Sequence, residues 1–203
     1  MDSLVSRLKR YGYIRSTAVE KAMLKVDRAL FVPEGAKTYA YNDHPLEIGY
    51  RQTISAPHMV AIMLELLGIG EKDRVLEIGT GSGYNAALIA TMAKEVYTIE
   101  SLSELAKIAK ENLKGYSNVR VLTGDGSIGY EEKAPYDAIC VTCAAPALPE
   151  PLKTQVKEGG RIVIPVGSLY IQMLYRFIKR KSSFEKSAHG EVVFVPMRGT
   201  YGF

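Results

Sequence analysis

Three acidic side chains stand at the ends of short apolar segments in the middle of the chain. Glu77, Glu100 and Asp125 each lie within or just after a run of residues with β propensity. The runs are Val75–Ile78, Val96–Ile99 and Val119–Leu122. Carboxylates accept hydrogen bonds from hydroxyl and amino groups, and the carboxyl ends of parallel strands meet at one edge of a sheet. The pattern therefore predicts one polar binding site built from three strand ends.

A glycine-rich turn follows the first of these strands. Gly79, Gly81 and Gly83 alternate along the chain, and the Ala-rich segment Tyr84–Ala93 after them is typical of a helix. Glycines allow a tight turn and the close approach of a ligand. The spacing differs from the dinucleotide fingerprint, and no Lys-Ser/Thr pair follows as in a phosphate-binding loop. The turn therefore predicts a nucleoside ligand without a phosphate cradle, unless the glycines serve only packing.

Together these residues indicate an adenosine site. Glu100 lies about 20 residues after Gly79, where an acidic residue can accept both ribose hydroxyls. Asp125 can accept a hydrogen bond from the adenine amino group, and Glu77 suits a cationic group. S-adenosylmethionine combines a ribose, an adenine, an amino acid and a sulfonium cation. We therefore expect S-adenosyl-L-methionine as the cofactor and S-adenosyl-L-homocysteine as its product.

The composition indicates an ordinary globular α/β protein. The chain has 203 residues, 47% of them hydrophobic, and a formal net charge of +4. That charge is too small to predict nucleic-acid binding by itself. The first residues lack the apolar segment of a signal peptide, and no apolar run reaches about 18 residues. We therefore expect no membrane span and a cytoplasmic location.

Neither a redox centre nor a metal site is predicted. Cys140 and Cys143 have a C-x-x-C spacing, but they fall on a predicted strand, Ala138–Thr142. An odd separation along a strand sends side chains to opposite faces, so both cysteines are expected to pack in the core. The three histidines are scattered along the chain and form no metal-ligand motif.

Apolar periodicity predicts the remaining elements. Helices are expected at Asp2–Lys9, Ser16–Val26 and Pro149–Val156, after an N-cap at Ser55, and after a capping box at Ser101–Glu104. Further strands are expected at Arg161–Val166 and at Leu169–Ile178, the latter paired with Val192–Val195. The long segment Glu34–Ile54 is expected to be irregular and functional. We expect one domain, with N-terminal helices and a substrate loop in residues 1–55 and a cofactor-binding α/β core in residues 56–203.

The segment before the helix at Pro57 suggests the methyl acceptor. The stretch Gln52–Ser55 leads to a helix N-terminus, whose N–H groups and dipole favour an anion. The hydroxyls of Thr53 and Ser55 add two donors. A carboxylate acceptor fits this chemistry, because it is ionised at pH 7 and needs no general base. The alternative is that Ser55 is only a helix cap.

Several segments resemble the protein-L-isoaspartate O-methyltransferase family. They are Pro45–Val60, Val75–Tyr84, Gly124–Gly126, Pro135–Ile139, Gly159–Arg161, Pro165–Gly167 and Phe194–Met197. The first segment is highly specific, whereas many methyltransferases share the second. The resemblance implies a doubly wound, mostly parallel, seven-stranded α/β fold of the class I S-adenosylmethionine-dependent methyltransferases (Rossmann-like), with an N-terminal helical extension.

The resemblance also implies an activity and a set of site residues. The activity is methyl transfer to the free α-carboxylate of L-isoaspartyl residues, and by extension D-aspartyl residues, in damaged proteins and peptides. The ester would then start repair through a succinimide. By motif, Ser55 matches the active-site serine. The positions expected to border the cofactor are Gln52, Thr53, Ile54, Glu77, Gly79, Gly81, Glu100, Ser101, Asp125 and Gly126.

Two other interpretations stay open on the sequence. A small-molecule methyltransferase would use the same cofactor site with another acceptor, and a non-catalytic module would bind S-adenosylmethionine without transferring its methyl group. The chain also departs from the family pattern. Arg51 stands where a small residue or glycine is common, and Tyr130 and Phe203 stand where Trp is frequent. These departures bear on substrate preference. The sequence does not determine the oligomeric state, and a monomer is the simplest expectation.

Overall fold

A seven-stranded sheet and a separate two-stranded hairpin form the framework of the molecule. The computed structural model describes residues 2–181 and 183–203. The strands are β1 (Leu46–Gly49), β2 (Gln52–Ile54), β3 (Arg74–Ile78), β4 (Glu95–Glu100), β5 (Val119–Thr123), β6 (Tyr136–Val141), β7 (Val156–Gly167), β8 (Gln172–Arg180) and β9 (Ser183–Val192). The large sheet has the order β5-β4-β3-β6-β7-β8-β9. It is parallel from β5 to β7 and antiparallel from β7 to β9, which confirms the expected mostly parallel sheet.

The α-helices of the described residues cover both faces of the sheet. They are α1 (Asp2–Arg10), α2 (Thr17–Lys25), α3 (Pro57–Leu67), α4 (Tyr84–Ala90), α5 (Ser103–Asn112) and α6 (Glu150–Gln155). The five helices from α1 through α5 pack on one face of the sheet, in a single core cluster. A second cluster, which includes Leu152 of α6, covers the opposite face. Alternation along each strand sets the face, so that Val75 belongs to the first cluster and Leu76 to the second. None of these helices is long and apolar enough to cross a membrane.

The N-terminal helices share the core of the parallel sheet. Leu8 of α1 and Met23 of α2 are buried in the same cluster as Leu88 of α4. The helices therefore pack on the half of the molecule that carries the glycine turn. The functional boundary expected between residues 55 and 56 stays a prediction.

The long segment before α3 is more ordered than its sequence suggests. It contains a 3₁₀ helix, Glu34–Tyr39, and the antiparallel hairpin of β1 and β2. The expectation of an irregular stretch from Glu34 to Ile54 is therefore wrong for much of its length. The hairpin was hard to predict, because each of its strands has only three or four residues and Tyr50 and Arg51 turn the chain with positive φ angles of 54° and 58°.

The closing strands also differ from the expected ones. The partner of β8 is Ser183–Val192, and not Val192–Val195. Residues 183–191 are almost all polar or exposed along this edge strand, so that no apolar alternation marks them in the sequence. Strand prediction depends on the alternation of apolar and polar residues that arises when one face of a strand is buried. An exposed edge strand lacks this alternation.

Two expected helix caps are absent at the positions proposed for them. Ala56, and not Ser55, is the N-cap of α3, and Ala56 has no side-chain group that could cap the helix. Leu102 precedes α5, and its backbone N–H donates to Glu100 Oε1 at 3.0 Å. The capping box of Ser101 and Glu104 is therefore wrong, because the end of β4 supplies the acceptor instead. Ser55 is left outside the helix, with its side chain free for another role.

Arg161 joins the end of α3 to the sheet. From β7 its guanidinium donates to the carbonyl oxygens of Leu67 at 2.7 Å, Gly68 at 2.8 Å and Asp137 at 3.0 Å. It also forms an ion pair of 2.7 Å with Asp73, and both side chains are less than one fifth exposed. The contact fixes the C-terminal end of α3 against β7, at the opposite end of the helix from Ser55.

We expect Arg161→Met to lower the free energy of unfolding by roughly 2–4 kcal/mol, because charge-assisted hydrogen bonds are lost and Asp73 loses its cation. Urea unfolding followed by circular dichroism measures the change. Arg120→Met is the matched control, since among the described residues the Arg120 guanidinium donates hydrogen bonds only to the nearby carbonyl oxygens of Ser117 and Val119. Equal effects of the two substitutions would contradict the role given to Arg161.

Candidate active site

An open cavity lies at the carboxyl ends of the parallel strands. Its empty volume, part of which is open to solvent, is about 910 Å³. Its lining consists of residues 52–55, 78–82, 99–102, 142–143 and 195–198, with Val60, Met63, Tyr84, Asn85 and Gly126. The cavity thus joins the ends of β2, β3, β4 and β6 to a segment near the C-terminus. Nine of the eleven site residues expected from the sequence line it: Gln52, Thr53, Ile54, Ser55, Gly79, Gly81, Glu100, Ser101 and Gly126.

The glycine turn combines a backbone role with a packing role. Gly79 has a φ of 94°, and a Cβ atom there would lie 2.5 Å from Thr142 Oγ1. Gly83 has a φ of 93°, and its Cβ atom would lie 2.9 Å from a methyl group of Leu113. Gly83 therefore supports the interpretation of packing, whereas Gly79 and Gly81 line the cavity. The tight turn brings the backbone to the cavity surface, as a closely bound ligand requires.

Glu100 lies where the sequence predicts it, at the end of β4 on the cavity surface. Its carboxylate accepts the backbone N–H of Gly81 at 2.8 Å and that of Leu102 at 3.0 Å. The residue is only 6% exposed. Each oxygen holds one backbone donor and keeps acceptor capacity for a second. The side chain is therefore held in one orientation and can still accept two hydroxyl groups.

Glu77 does not line the cavity. It is fully buried behind the glycine turn, where Oε1 accepts Asn85 Nδ2 at 2.8 Å and Oε2 accepts Thr98 Oγ1 at 2.5 Å. Thr98 in turn bonds Thr80 Oγ1 at 2.7 Å. The expected direct contact between Glu77 and a cationic ligand group therefore does not fit this geometry. Asn85, which binds Glu77, lines the cavity instead of Glu77.

Burial raises the pKa of Glu77 to about 7. The hydrogen bonds from Thr98 and Asn85 act in the opposite direction, and the neighbouring Glu100 raises the pKa further. The ordinary value of this carboxyl group is 4.5. Between pH 4.5 and pH 7 the unfolded chain loses this proton while the folded chain keeps it. The free energy of unfolding contributed by Glu77 therefore falls as the pH rises through this window and is constant above it.

We expect Glu77→Gln to remove this decline, because a neutral amide does not titrate. The difference in unfolding free energy between Glu77→Gln and the unmodified protein should increase from pH 4.5 to pH 7.5. Denaturant unfolding at a series of pH values measures it. Glu71→Gln, at an exposed residue, is the control and should give a flat difference. A flat difference for Glu77→Gln as well would show that the buried carboxyl group does not titrate in this window.

Asp125 is engaged in contacts within the protein. Its Oδ1 accepts the N–H and hydroxyl of Ser127 at 2.8 and 2.6 Å, and its Oδ2 accepts the N–H and hydroxyl of Thr200 at 2.8 and 2.9 Å. Burial alone would raise the pKa of Asp125, but these hydrogen bonds bring it below its ordinary value. The carboxylate does not line the cavity, whereas Gly126 beside it does. Asp125 therefore holds the C-terminal segment next to the site.

Strand β2 and the residue after it, Ser55, form the wall of the cavity that carries side-chain hydroxyl groups. Ser55 is half-buried on the cavity surface, and its hydroxyl makes no hydrogen bond to another described residue. Thr53 is exposed at the rim, and Gln52 Nε2 donates to the carbonyl oxygen of Arg51 at 3.0 Å. The backbone of Arg51 is left-handed (φ 58°), a conformation that favours glycine. The free hydroxyl of Ser55 is thus available to a ligand.

The sequence did not point to several residues that line the cavity. Residues 195–198 reach it because Ala144 N–H donates to Val195 O at 2.8 Å and Met197 N–H donates to Ala144 O at 2.7 Å. Asn85 could have been noticed, since it is a polar residue in an otherwise apolar helix start. The segment Phe194–Met197 matches a family motif, but the motif does not indicate that it lies at the cavity, because its position depends on contacts with the end of β6.

The two cysteines have the packing role expected of them. Both are buried and unpaired, and they belong to different core clusters on opposite faces of the sheet. Burial raises the pKa of both thiols above the ordinary value, that of Cys143 to about 12. A reactive thiolate would need a lowered pKa. Among the described residues, no cluster of three or more His, Cys, Asp or Glu side chains could hold a metal ion.

The parallel sheet, the glycine turn and the acidic end of β4 define the class I S-adenosylmethionine-dependent methyltransferase fold. A family model described as protein-L-isoaspartate(D-aspartate) O-methyltransferase matches residues 1–201. A protein-L-isoaspartate O-methyltransferase of Pyrococcus abyssi is 52% identical over 204 residues, which cover 98% of this chain and 94% of that protein. One of Dictyoglomus turgidum is 50% identical, covering 99% and 92%. The chain belongs to the protein-L-isoaspartate(D-aspartate) O-methyltransferase family.

Two solved structures agree with this assignment. A protein-L-isoaspartate O-methyltransferase superposes with a TM-score of 0.90 at 33% identity, covering 99% of this chain and 67% of the other. A structure described as a putative protein-L-isoaspartate O-methyltransferase from Plasmodium falciparum, in complex with S-adenosyl-L-homocysteine, superposes with a TM-score of 0.85 at 31% identity and covers 97% of each chain.

Proposed function

We propose that this protein transfers the methyl group of S-adenosylmethionine to the free α-carboxylate of L-isoaspartyl residues in damaged proteins and peptides. The observation that carries the proposal is the position of Ser55. Its hydroxyl, which makes no hydrogen bond to another described residue, lies at the cavity that also contains Glu100 and the glycine turn. Family membership over nearly the whole chain supports the same acceptor. The family description also includes D-aspartate, so D-aspartyl residues are a second acceptor to test.

The cavity residues suit S-adenosylmethionine. Glu100 would accept the ribose hydroxyls, Gly79 and Gly81 would let the amino-acid part approach the backbone, and Gly126 would lie against the adenine. Ser101 is at the rim beside Glu100. When bound, this cofactor supplies an already activated methyl group on a sulfonium centre. Asp125 would contribute by holding the C-terminal segment, and any contact with the adenine amino group would have to share its two already bonded oxygens.

The acceptor would bind between Ser55 and the C-terminal segment. The hydroxyl of Ser55 would donate to one carboxylate oxygen and orient the other toward the methyl group. Gln52, Thr53 and Ile54 would border both ligands from the same side of the cavity. A carboxylate is ionised at pH 7, so the protein must align the reactants and need not remove a proton. The methyl ester would then close to a succinimide through the neighbouring backbone N–H, with loss of methanol, which starts the repair of the damaged linkage.

The alternatives receive less support. A small-molecule methyltransferase or a non-catalytic binding module would account for Glu100 and the glycine turn, but neither requires a free hydroxyl beside them. Relatives at about half identity over almost their whole length carry the isoaspartate name. We further propose a cytoplasmic monomer that acts on polypeptides without a nucleic-acid component, in line with the modest net charge of +4.

Methyl transfer from labelled S-adenosylmethionine to two matched peptides tests the proposal. One peptide contains L-isoaspartate and the other contains normal aspartate at the same position. We expect label only in the isoaspartyl peptide, because only this peptide has a free α-carboxylate within the chain. If neither peptide is labelled although calorimetry shows that the cofactor binds, the proposed acceptor is wrong and the proposed cofactor site is still supported.

Ser55→Ala should lower turnover of the isoaspartyl peptide by roughly 100-fold, because a misaligned carboxylate loses the benefit of positioning. Its affinity for S-adenosylhomocysteine should stay nearly unchanged, since the hydroxyl is assigned to the acceptor. Kinetics and calorimetry on the same preparation measure the two quantities.

Glu100→Gln is the comparison variant and should show the opposite pattern, with weakened cofactor binding as the primary defect. If Ser55→Ala lost cofactor affinity as strongly as Glu100→Gln, the assignment of Ser55 to the acceptor would be wrong.

A further inference from the structure

We propose that Asp43 is a positioning residue for methyl transfer, because its carboxylate holds the first turn of α3 and thereby places Ser55 at the acceptor site. The inference rests on the proposed function, since Asp43 acts on the reaction only through Ser55. Asp43 does not itself line the cavity.

The first turn of α3 depends on an acceptor from outside the helix. Its N-cap, Ala56, has no side-chain acceptor, and Pro57 at the first helical position has no N–H group. The next N–H group, that of His58, donates to Asp43 Oδ1 at 2.9 Å. The N–H group of Met59 then bonds the carbonyl oxygen of Ala56 at 3.0 Å. Asp43 therefore takes the place of a capping side chain.

A second hydrogen bond joins Asp43 to the same residue. Nδ1 of the His58 ring also lies 2.9 Å from Asp43 Oδ1. A carboxylate has no proton to donate, so Nδ1 carries the hydrogen. The ring also packs against Tyr13, with the ring centroids 5.4 Å apart. Asp43 is thus held by a backbone donor and by a side-chain donor whose ring is itself packed in place.

Two positive groups attract the carboxylate of Asp43 to this position. One is the N-terminal end of the α3 dipole. The other is Arg28, which is only 1% exposed and whose guanidinium nitrogens have no hydrogen-bond partner among the described residues. Burial lowers the pKa of Arg28 to about 10, whereas Tyr84 and the negative charge of Asp43 act in the opposite direction. The buried cation therefore favours a negative group at the start of α3.

The contacts of Asp43 close a loop around the acceptor segment. Asp43 and His58 are fifteen positions apart, and the hairpin of β1 and β2 and Ser55 lie between them. Within this loop Leu46 of β1 pairs with Ile54 of β2, the residue before Ser55. Ser55 is therefore fixed on one side by the hairpin and on the other by the helical turn that Asp43 holds.

The same contacts show why the position of Ser55 matters. The sequence predicted that the N–H groups at this helix start favour an anion, and the structure places the protein's own carboxylate there. In the first turn, residues 57–60, the N–H groups bond Asp43 or the carbonyl oxygen of Ala56, and Pro57 has none. The helix start therefore has no free N–H group for the acceptor, and the Ser55 hydroxyl must align the acceptor carboxylate.

A double-mutant cycle with Ser55 tests the inference. The readouts are kcat/KM for the isoaspartyl peptide and the calorimetric affinity for S-adenosylhomocysteine. Asp43→Ala should lower kcat/KM by roughly tenfold, because the acceptor is aligned less well, and should change the affinity by less than about threefold. In the Ser55→Ala background the same substitution should lower kcat/KM by less than about threefold, because the hydroxyl that it positions is already absent.

Two conservative variants separate the position of the Asp43 oxygen from its charge. Asp43→Asn keeps an acceptor oxygen in place, and Asn caps helices about as well as Asp does, so kcat/KM should stay within about threefold of that of the unmodified protein. Asp43→Glu keeps the charge but moves the oxygen by one methylene group, so it should lose nearly as much as Asp43→Ala. This pair keeps the test valid if Asp43→Ala does not fold. Full activity of Asp43→Glu together with a tenfold loss in Asp43→Asn would overturn the inference.

Glu65→Ala is the matched control. Glu65 lies near the other end of α3, and its Oε1 accepts the backbone N–H groups of Arg15 at 2.9 Å and Ser16 at 2.8 Å, so it also holds a distant helix start. It should lower Tm about as much as Asp43→Ala does and leave kcat/KM unchanged.

Two results would overturn the inference and leave the proposed function in place. One is an equal loss of kcat/KM in Glu65→Ala. The other is a full tenfold loss from Asp43→Ala in both the unmodified and the Ser55→Ala backgrounds, because additive effects would show that Asp43 does not act through Ser55. No transfer to the isoaspartyl peptide by the unmodified protein would instead overturn the inference together with the proposed function.

Discussion

The buried carboxyl group of Glu77 is the constraint around which the cofactor side of the cavity is arranged. Burial disfavours its charge, and the neutral groups of Thr98 and Asn85 compensate for this only in part. A buried carboxyl group with a strongly raised pKa is typical of a functional site. Glu100 on the neighbouring strand differs, because two backbone N–H groups hold it at the cavity surface. The two strand ends therefore present different electrostatic environments to one ligand.

The acceptor side depends on contacts between segments far apart in the chain. The hairpin of β1 and β2 brings Ser55 to the cavity from one side, and residues 195–198 reach it from the other. Hydrogen bonds between Ala144 and the C-terminal segment, and between Asp125 and Thr200, hold the second side. Since methyl transfer from a sulfonium to a carboxylate requires alignment above all, the placement of these two segments is what the fold contributes to the reaction.

The sequence predicted those parts of the site that depend on the local backbone or on burial within a single element. Gly79 at a positive φ, Glu100 at a strand end and the buried strand β3 all follow from short-range pattern and burial. Glu77 shows the limit of this reasoning. It stands at a strand end as expected, but its side chain lies behind the glycine turn, because pattern gives the strand and not the depth of a side chain relative to a cavity. Asn85 was missed for the same reason.

By itself the sequence determined the family, the βα order through the cofactor half and the chemical types at the strand ends, because these depend on local propensity and on motifs contained in short segments. Only the tertiary structure decided which groups share the cavity. Ser55 lies outside its helix because Ala56 takes the cap position, and Asp125 bonds Thr200 because the chain folds back over the end of β6. Contacts between residues so distant in the chain leave no periodic signal, and only packing brings them together.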